Sequence, residues 1–166
     1  MSKTIKLGFD SASIANALME LQAYQLWLRD KAEKLAIELT MRGFDKASVK
    51  FTGAKYDGPR SDIKYDVEDR GDGVYAIVIS GTTAVIIEFG AGVTHGYGHP
   101  QADEFGMGPG TFPDAKGHWD DPNGWYLPKS AGGGHTMGNP PSRAMYDTSQ
   151  ELRNELAAIA REVFET

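Results

Sequence analysis

Four histidines are the side chains best suited to hold a metal or shuttle a proton, and all of them fall between residues 90 and 141. His95 and His99 are four apart, a spacing that puts two ligands on one helical face, but Gly96, Tyr97 and Gly98 between them disfavour a helix. With His118, His135 and a carboxylate from Asp103, Asp114 or Asp120 they would compose the donor set of a metal-dependent hydrolase, the rival functional reading. Local hydrogen bonding within a loop is the simpler account, so no metal, cofactor or catalytic residue is assigned.

Other chemical patterns fail on spacing. Asp120, Asp121, Pro122, Asn123 and Gly124 open like a calcium loop, yet Ala131 stands where a bidentate glutamate should close it. Gly106, Met107, Gly108, Pro109 and Gly110 lack the preceding strand and the following Lys-Ser/Thr pair of a phosphate-binding loop. No Gly-x-Ser-x-Gly elbow occurs, and the adjacent pairs Asp103/Glu104 and Asp120/Asp121 diverge on an extended chain. Glu88 stands out, because it follows the apolar run Ala84, Val85, Ile86, Ile87 and precedes Phe89 and Gly90. A carboxylate there suits the capping of backbone amides or a pair across a subunit boundary, and equally the exposed end of an element.

The elements that position these residues follow from hydrophobic period. Ile14, Leu18, Leu21, Leu28, Ala32, Leu35 and Leu39 recur at steps of three and four, interrupted by Gln25, which predicts a helix over residues 12–42. Ser11 and Ser13 are its candidate N-caps, Lys31, Lys34 and Arg42 lie towards its carboxyl end, and Gly43 is its C-cap. The period then changes to two over 47–52 and again over 63–68, each reading as a strand with one wet face. After the turn cluster 69–73, residues 74–79 are apolar on both faces and read as a more buried strand; 83–89 fits either helix or strand. Residues 90–141 hold 13 of the 20 glycines and seven of the eight prolines, and read as a long loop. Its aromatic residues Tyr97, Phe105, Phe112, Trp119, Trp125 and Tyr126 point to contact with a partner surface. Past Pro140 and Pro141, the spacing of Met145, Ser149, Leu152, Leu156, Ile159 and Val163 predicts a second long helix to the end. The predicted fold class is α+β: one domain over 1–166, an antiparallel sheet of three to four strands against two long helices, with a loop insertion at 90–141.

Composition narrows the function. With 166 residues and 40% apolar side chains there is material for one core. Cysteine is absent, which removes disulfide scaffolds, Cys-ligated zinc and thiol nucleophiles. A net charge of -6 gives no footprint for gripping nucleic acid, while suiting a channel that DNA slides through. No basic flank with an apolar run opens the sequence and no run is long enough for a bilayer, so a soluble protein without a membrane partner is expected.

Four blocks in order carry a resemblance. IIEFGAGVTH at 86–95 resembles the Glu-Phe-Gly hallmark of the gp-ten-like neck and tail-completion proteins of lambda-type siphophages, also described as minor tail protein Z-like, with Ala91 where Thr is usual. HPQADEFGMGPGTF at 99–112, GWYLPKS at 124–130 and GNPPSRAMYDTSQEL at 138–152 are similar to that family's Gly-rich stretch, aromatic segment and Pro-led entry to the last helix. The resemblance implies a non-enzymatic virion protein that forms a homo-oligomeric ring, meeting connector or head-closure proteins on one side and tail-tube or tail-terminator proteins on the other. DNA would be passing cargo, and assembly would take place in the host bacterial cytoplasm. It marks Glu88, Phe89, Gly90, His99, Pro100, Trp119, Trp125, Tyr126 and Pro140 as structural or interface residues. A module that binds a small ligand or peptide through Trp119 and Trp125 is the third reading.

Overall fold

The computed structural model describes residues 4–6, 8–56, 58–95, 98–107, 121–129 and 132–165. Trp119, His118, Phe112, Tyr97, Asp114 and Asp120 lie outside them. In chain order the elements are helix α1 (Ser11–Gly53), strands β1 (Lys64–Asp69) and β2 (Tyr75–Ser80), helix α2 (Thr82–Phe89), strands β3 (Trp125–Tyr126) and β4 (His135–Thr136), and helix α3 (Ala144–Glu165). Short 3-10 turns at Val93–His95 and Asp103–Phe105 lie between α2 and β3. The class is α+β, with two separate antiparallel pairs, β1 with β2 and β3 with β4.

The first helix is 43 residues long and absorbs residues 47–52, predicted above as a strand. Among the described residues the main sheet therefore has two strands, not three or four. The reason is visible in burial. Ala47 and Phe51 are buried to within 1% while Val49 between them is 72% exposed, so the apolar spacing is the helical i, i+4 step that begins at Gly43. Gly43 is no cap: a Cβ there would lie 2.6 Å from Ile77 Cδ1 and 2.8 Å from Leu152 Cδ1, so β2 and α3 both press close on the helix at this point. The start also differs from expectation, since Asp10 is the N-cap and its Oδ1 accepts from the Ser13 amide at 2.8 Å. Ser13 Oγ instead accepts from Gly8 N–H. At the far end the Arg60 guanidinium donates to the carbonyls of Phe51 in the last turn and of Ala54 and Tyr56 just beyond it, tying the chain after the helix to its end.

β1 and β2 pair in register from Lys64 opposite Ser80 to Asp69 opposite Tyr75. The eight-residue apolar stretch after them is the helix α2. Gly81, its N-cap residue, offers no side chain, and Asp62 supplies the acceptor from outside by taking the Thr83 amide at 3.0 Å. Phe51, Ala84, Ile87 and Ala144 form the buried centre, so α1, α2 and the start of α3 share one core.

α3 runs antiparallel to α1. Lys50 and Lys46 reach Glu151, Lys46 also meets Glu155, Arg42 meets Glu162, and Lys31 Nζ donates to the carbonyl of Val163. The pairing ends where Phe164 packs edge-on to Trp27 at 5.8 Å between ring centres. α3 has 22 residues and α1 has 43, so the amino-terminal stretch of α1 continues past it. At 1.5 Å per residue, residues 11–26 extend it by about 24 Å. No helix among the described residues is long and apolar enough to cross a membrane.

Candidate functional site

Two features stand out: a junction around Glu88, and the projecting half of α1. Glu88 is the penultimate residue of α2 and is 7% exposed. Its Oε2 accepts from the Met145 amide at 3.0 Å and its Oε1 from the Tyr146 amide at 3.1 Å. These amides belong to the first turn of α3, so a carboxylate 57 residues upstream occupies the capping position that favours negative charge. The backbone reinforces the contact. Ser142 N–H donates to Ile87 O and Arg143 N–H to Glu88 O, joining the carboxyl end of α2 to the amino end of α3. Arg143 takes a left-handed φ of 54 to make this turn, an unusual conformation for a residue with a Cβ. Of the three roles open to Glu88 in the sequence, backbone capping is the one it fills.

Oε1 of Glu88 has a second partner, His99 Nε2 at 3.1 Å. His99 Nδ1 accepts from the Gln101 amide at 3.1 Å, which leaves Nε2 as the protonated nitrogen donating to the carboxylate. The imidazole is 5% exposed, tilted on Phe89 at 4.3 Å and edge-on to Tyr146 at 5.6 Å. Both of its nitrogens are engaged within the chain. The pair therefore works as a latch that holds the strap 98–107 and the start of α3 on the end of α2. A cavity of about 420 Å³ lies beside it, walled by Phe51, Ile79, Val85, Phe89, Phe105 and Met145.

Gly90 follows with φ 80, and a Cβ there would press on Pro141 N and Asn139 O. Ala91 and Asn139 then exchange both backbone hydrogen bonds, 3.0 and 2.9 Å, in an isolated antiparallel bridge. Asn139, 6% exposed, also donates from Nδ2 to Ile86 O. The Glu-Phe-Gly block and the Gly-Asn-Pro-Pro block, fifty residues apart, thus meet at one place. Pro140 is half-buried there, and Pro100 is exposed beside His99. Sequence reasoning passed over Asn139 and Tyr146; the amide side chain just before two prolines was the available signal for the first.

Trp125 and Tyr126 are not part of the junction and form β3. The Trp125 ring lies against Gly92, where a Cβ would sit 3.2 Å from it. Tyr126 is 80% exposed and its ring meets His135 edge-on at 5.0 Å. His95 and His135 border a second cavity of about 330 Å³ together with Trp125. Among the described residues no three His, Asp or Glu side chains gather where a metal could be held. Asp121 takes the Asn123 amide on its Oδ1 in a local turn.

The projecting stretch of α1, with the turn where Trp27 meets Phe164, carries a different kind of surface. Ile14, Leu18, Met19, Leu21, Leu26 and Leu28 are between 43% and 69% exposed. Such a density of bare large apolar side chains on one helix is more than scattered surface residues present. The sequence displayed this stripe but not that its amino-terminal part would stay exposed among the described residues. No family model, curated protein or solved structure matches this chain.

Proposed function

We propose that this chain is a structural subunit of a tailed-bacteriophage virion, a neck or tail-completion protein that assembles with copies of itself into a ring. It joins the DNA-filled head to the tail or closes the end of the tail tube, and it is not an enzyme. The observation that carries the reading is the projecting half of α1: about 24 Å of helix with large apolar side chains bare to solvent. A protein acting alone gains nothing from that surface, whereas an assembly subunit requires it.

The resemblance of the four sequence blocks supplies the virion identity, and the junction supports it. The Glu-Phe-Gly block and the Pro-led entry to the last helix have an evident structural task together, which is to fix α3 on α2 through Glu88. Residues 1–166 act as one domain, and the segment 90–141 is the part that meets connector, head-closure, tail-tube or terminator proteins. The acidic balance of -6 lets DNA pass without sticking.

The test is electron microscopy of lysates from a phage or inducible prophage whose copy of this gene carries an early stop codon. Filled heads separate from free tails, or tails of abnormal length, are expected. Normal infectious particles would refute the role.

A further inference from the structure

We infer that residues 11–28 of α1 pair in parallel with the same segment of a second copy of this chain, through Ile14, Leu18, Leu21 and Leu28. The inference rests on the assembly reading above in treating this segment as an interface, and it names the occupant.

Spacing is the first argument. Residues 14, 18, 21, 25 and 28 alternate steps of four and three, a seven-residue period that keeps one seam facing a partner helix along its whole length. The four apolar members are 44%, 54%, 51% and 43% exposed in the single chain, so the seam is formed and uncovered. An occupant with matching periodicity is a helix, and the nearest source of one is an identical copy.

Area is the second. The chain exposes 11024 Å². A self-contained monomer of 18.1 kDa exposes about 8,100 Å² by the usual scaling with mass. Counted over the whole chain, the surplus of about 2,900 Å² exceeds the roughly 800 Å² that each partner buries in a standard interface.

Charge and polarity are the third. Glu20 is the one charged side chain in residues 11–28, and on a helix it lies about 120° from the seam. The flanking Ala15, Gln22 and Tyr24 are neutral, so nothing repels an identical helix and nothing selects an oppositely charged stranger. Gln25 sets the direction. In a parallel pair it faces its own copy and the two amides hydrogen-bond, whereas an antiparallel pair would bury it against leucine.

The experiment uses the full chain, which lacks cysteine and so allows clean cross-linking. Light scattering coupled to size exclusion should give a mass of two or more chains, and the double variant Leu18→Glu/Leu21→Glu should fall to one chain with its helical circular dichroism retained. Leu21→Cys should oxidise to a disulfide-linked dimer, and Glu20→Cys, one residue away on the back of the helix, should not. A single-chain mass at every concentration, or equal cross-linking of the two cysteine variants, would overturn the pairing. A monomer that phage assembly still requires would overturn it too, placing another virion protein on the seam and leaving the virion role intact. A clean oligomer from a gene dispensable for particle formation would uphold the pairing and remove the virion role.

Discussion

Replacing Glu88 by alanine tests whether the junction is what holds α3 in place. The change strands three donors at once: the Met145 amide, the Tyr146 amide and the His99 Nε2–H, bonded at 3.0, 3.1 and 3.1 Å. Losing a helix cap costs about 0.5–2 kcal/mol, and a buried donor left unpaired costs about 1–3 kcal/mol. The three bonds share one carboxylate and are not independent, so the combined loss is roughly 3–5 kcal/mol. For a chain of this size that lowers Tm by about 6–20 °C. Glu88→Gln keeps one acceptor oxygen and loses the charge at the helix end, so it should fall between, at about 1–3 kcal/mol. Urea unfolding followed by circular dichroism measures both at an unchanged slope. An alanine variant within about 0.5 kcal/mol of the parent would refute the assignment of Glu88 as the cap of α3.

Two further perturbations probe the frame around the junction. Gly138 has φ 86 and a Cβ there would collide with the carbonyl of Ala91, so Gly138→Ala should break the Ala91–Asn139 bridge, at a cost of about 2 kcal/mol or more, and quicken proteolysis of the segment it closes. Gly132→Ala, at a positive φ but with open space around its Cβ position, should cost less; equal losses would remove the steric argument. The Asp62 carboxyl is held below the usual aspartate range, first by the Thr83 hydroxyl and then by the Thr83 amide. Its contribution is therefore present above the ordinary aspartate pKa and drains away as pH falls towards the lowered folded value, because the unfolded chain takes its proton first. Unfolding midpoints measured from roughly pH 7 to pH 3 should decline less steeply for Asp62→Asn than for the parent, and parallel curves would show that Asp62 does not cap α2.

Local pattern settled a good deal. The heptad-like stripe announced α1, the alternation at 63–68 and the apolar run at 74–79 matched β1 and β2 to within a residue, and the spacing from Met145 onward marked α3. These features repeat over several turns or residues, so the amphipathic face can be read without knowing what covers it. Where two periods coincide the sequence was silent. Ala47, Val49 and Phe51 fit a strand by twos, and Gly43, Ala47 and Phe51 fit a helix by fours; only the closeness of Ile77 and Leu152 to Gly43, and the burial of Ala47 and Phe51 against an exposed Val49, decided for the helix. The same limit applied to Glu88. Its neighbours in the chain allowed a cap, a cross-subunit pair or an exposed end, and the amides it takes belong to residues 145 and 146, which tertiary folding alone brings within 3.1 Å. The bare half of α1 is the last case: composition supplied an apolar stripe of one kind throughout, and the structure divided it. Where α3 ends, at Phe164 on Trp27, the covered core gives way to an exposed apolar surface, because a helix of 22 residues cannot cover one of 43.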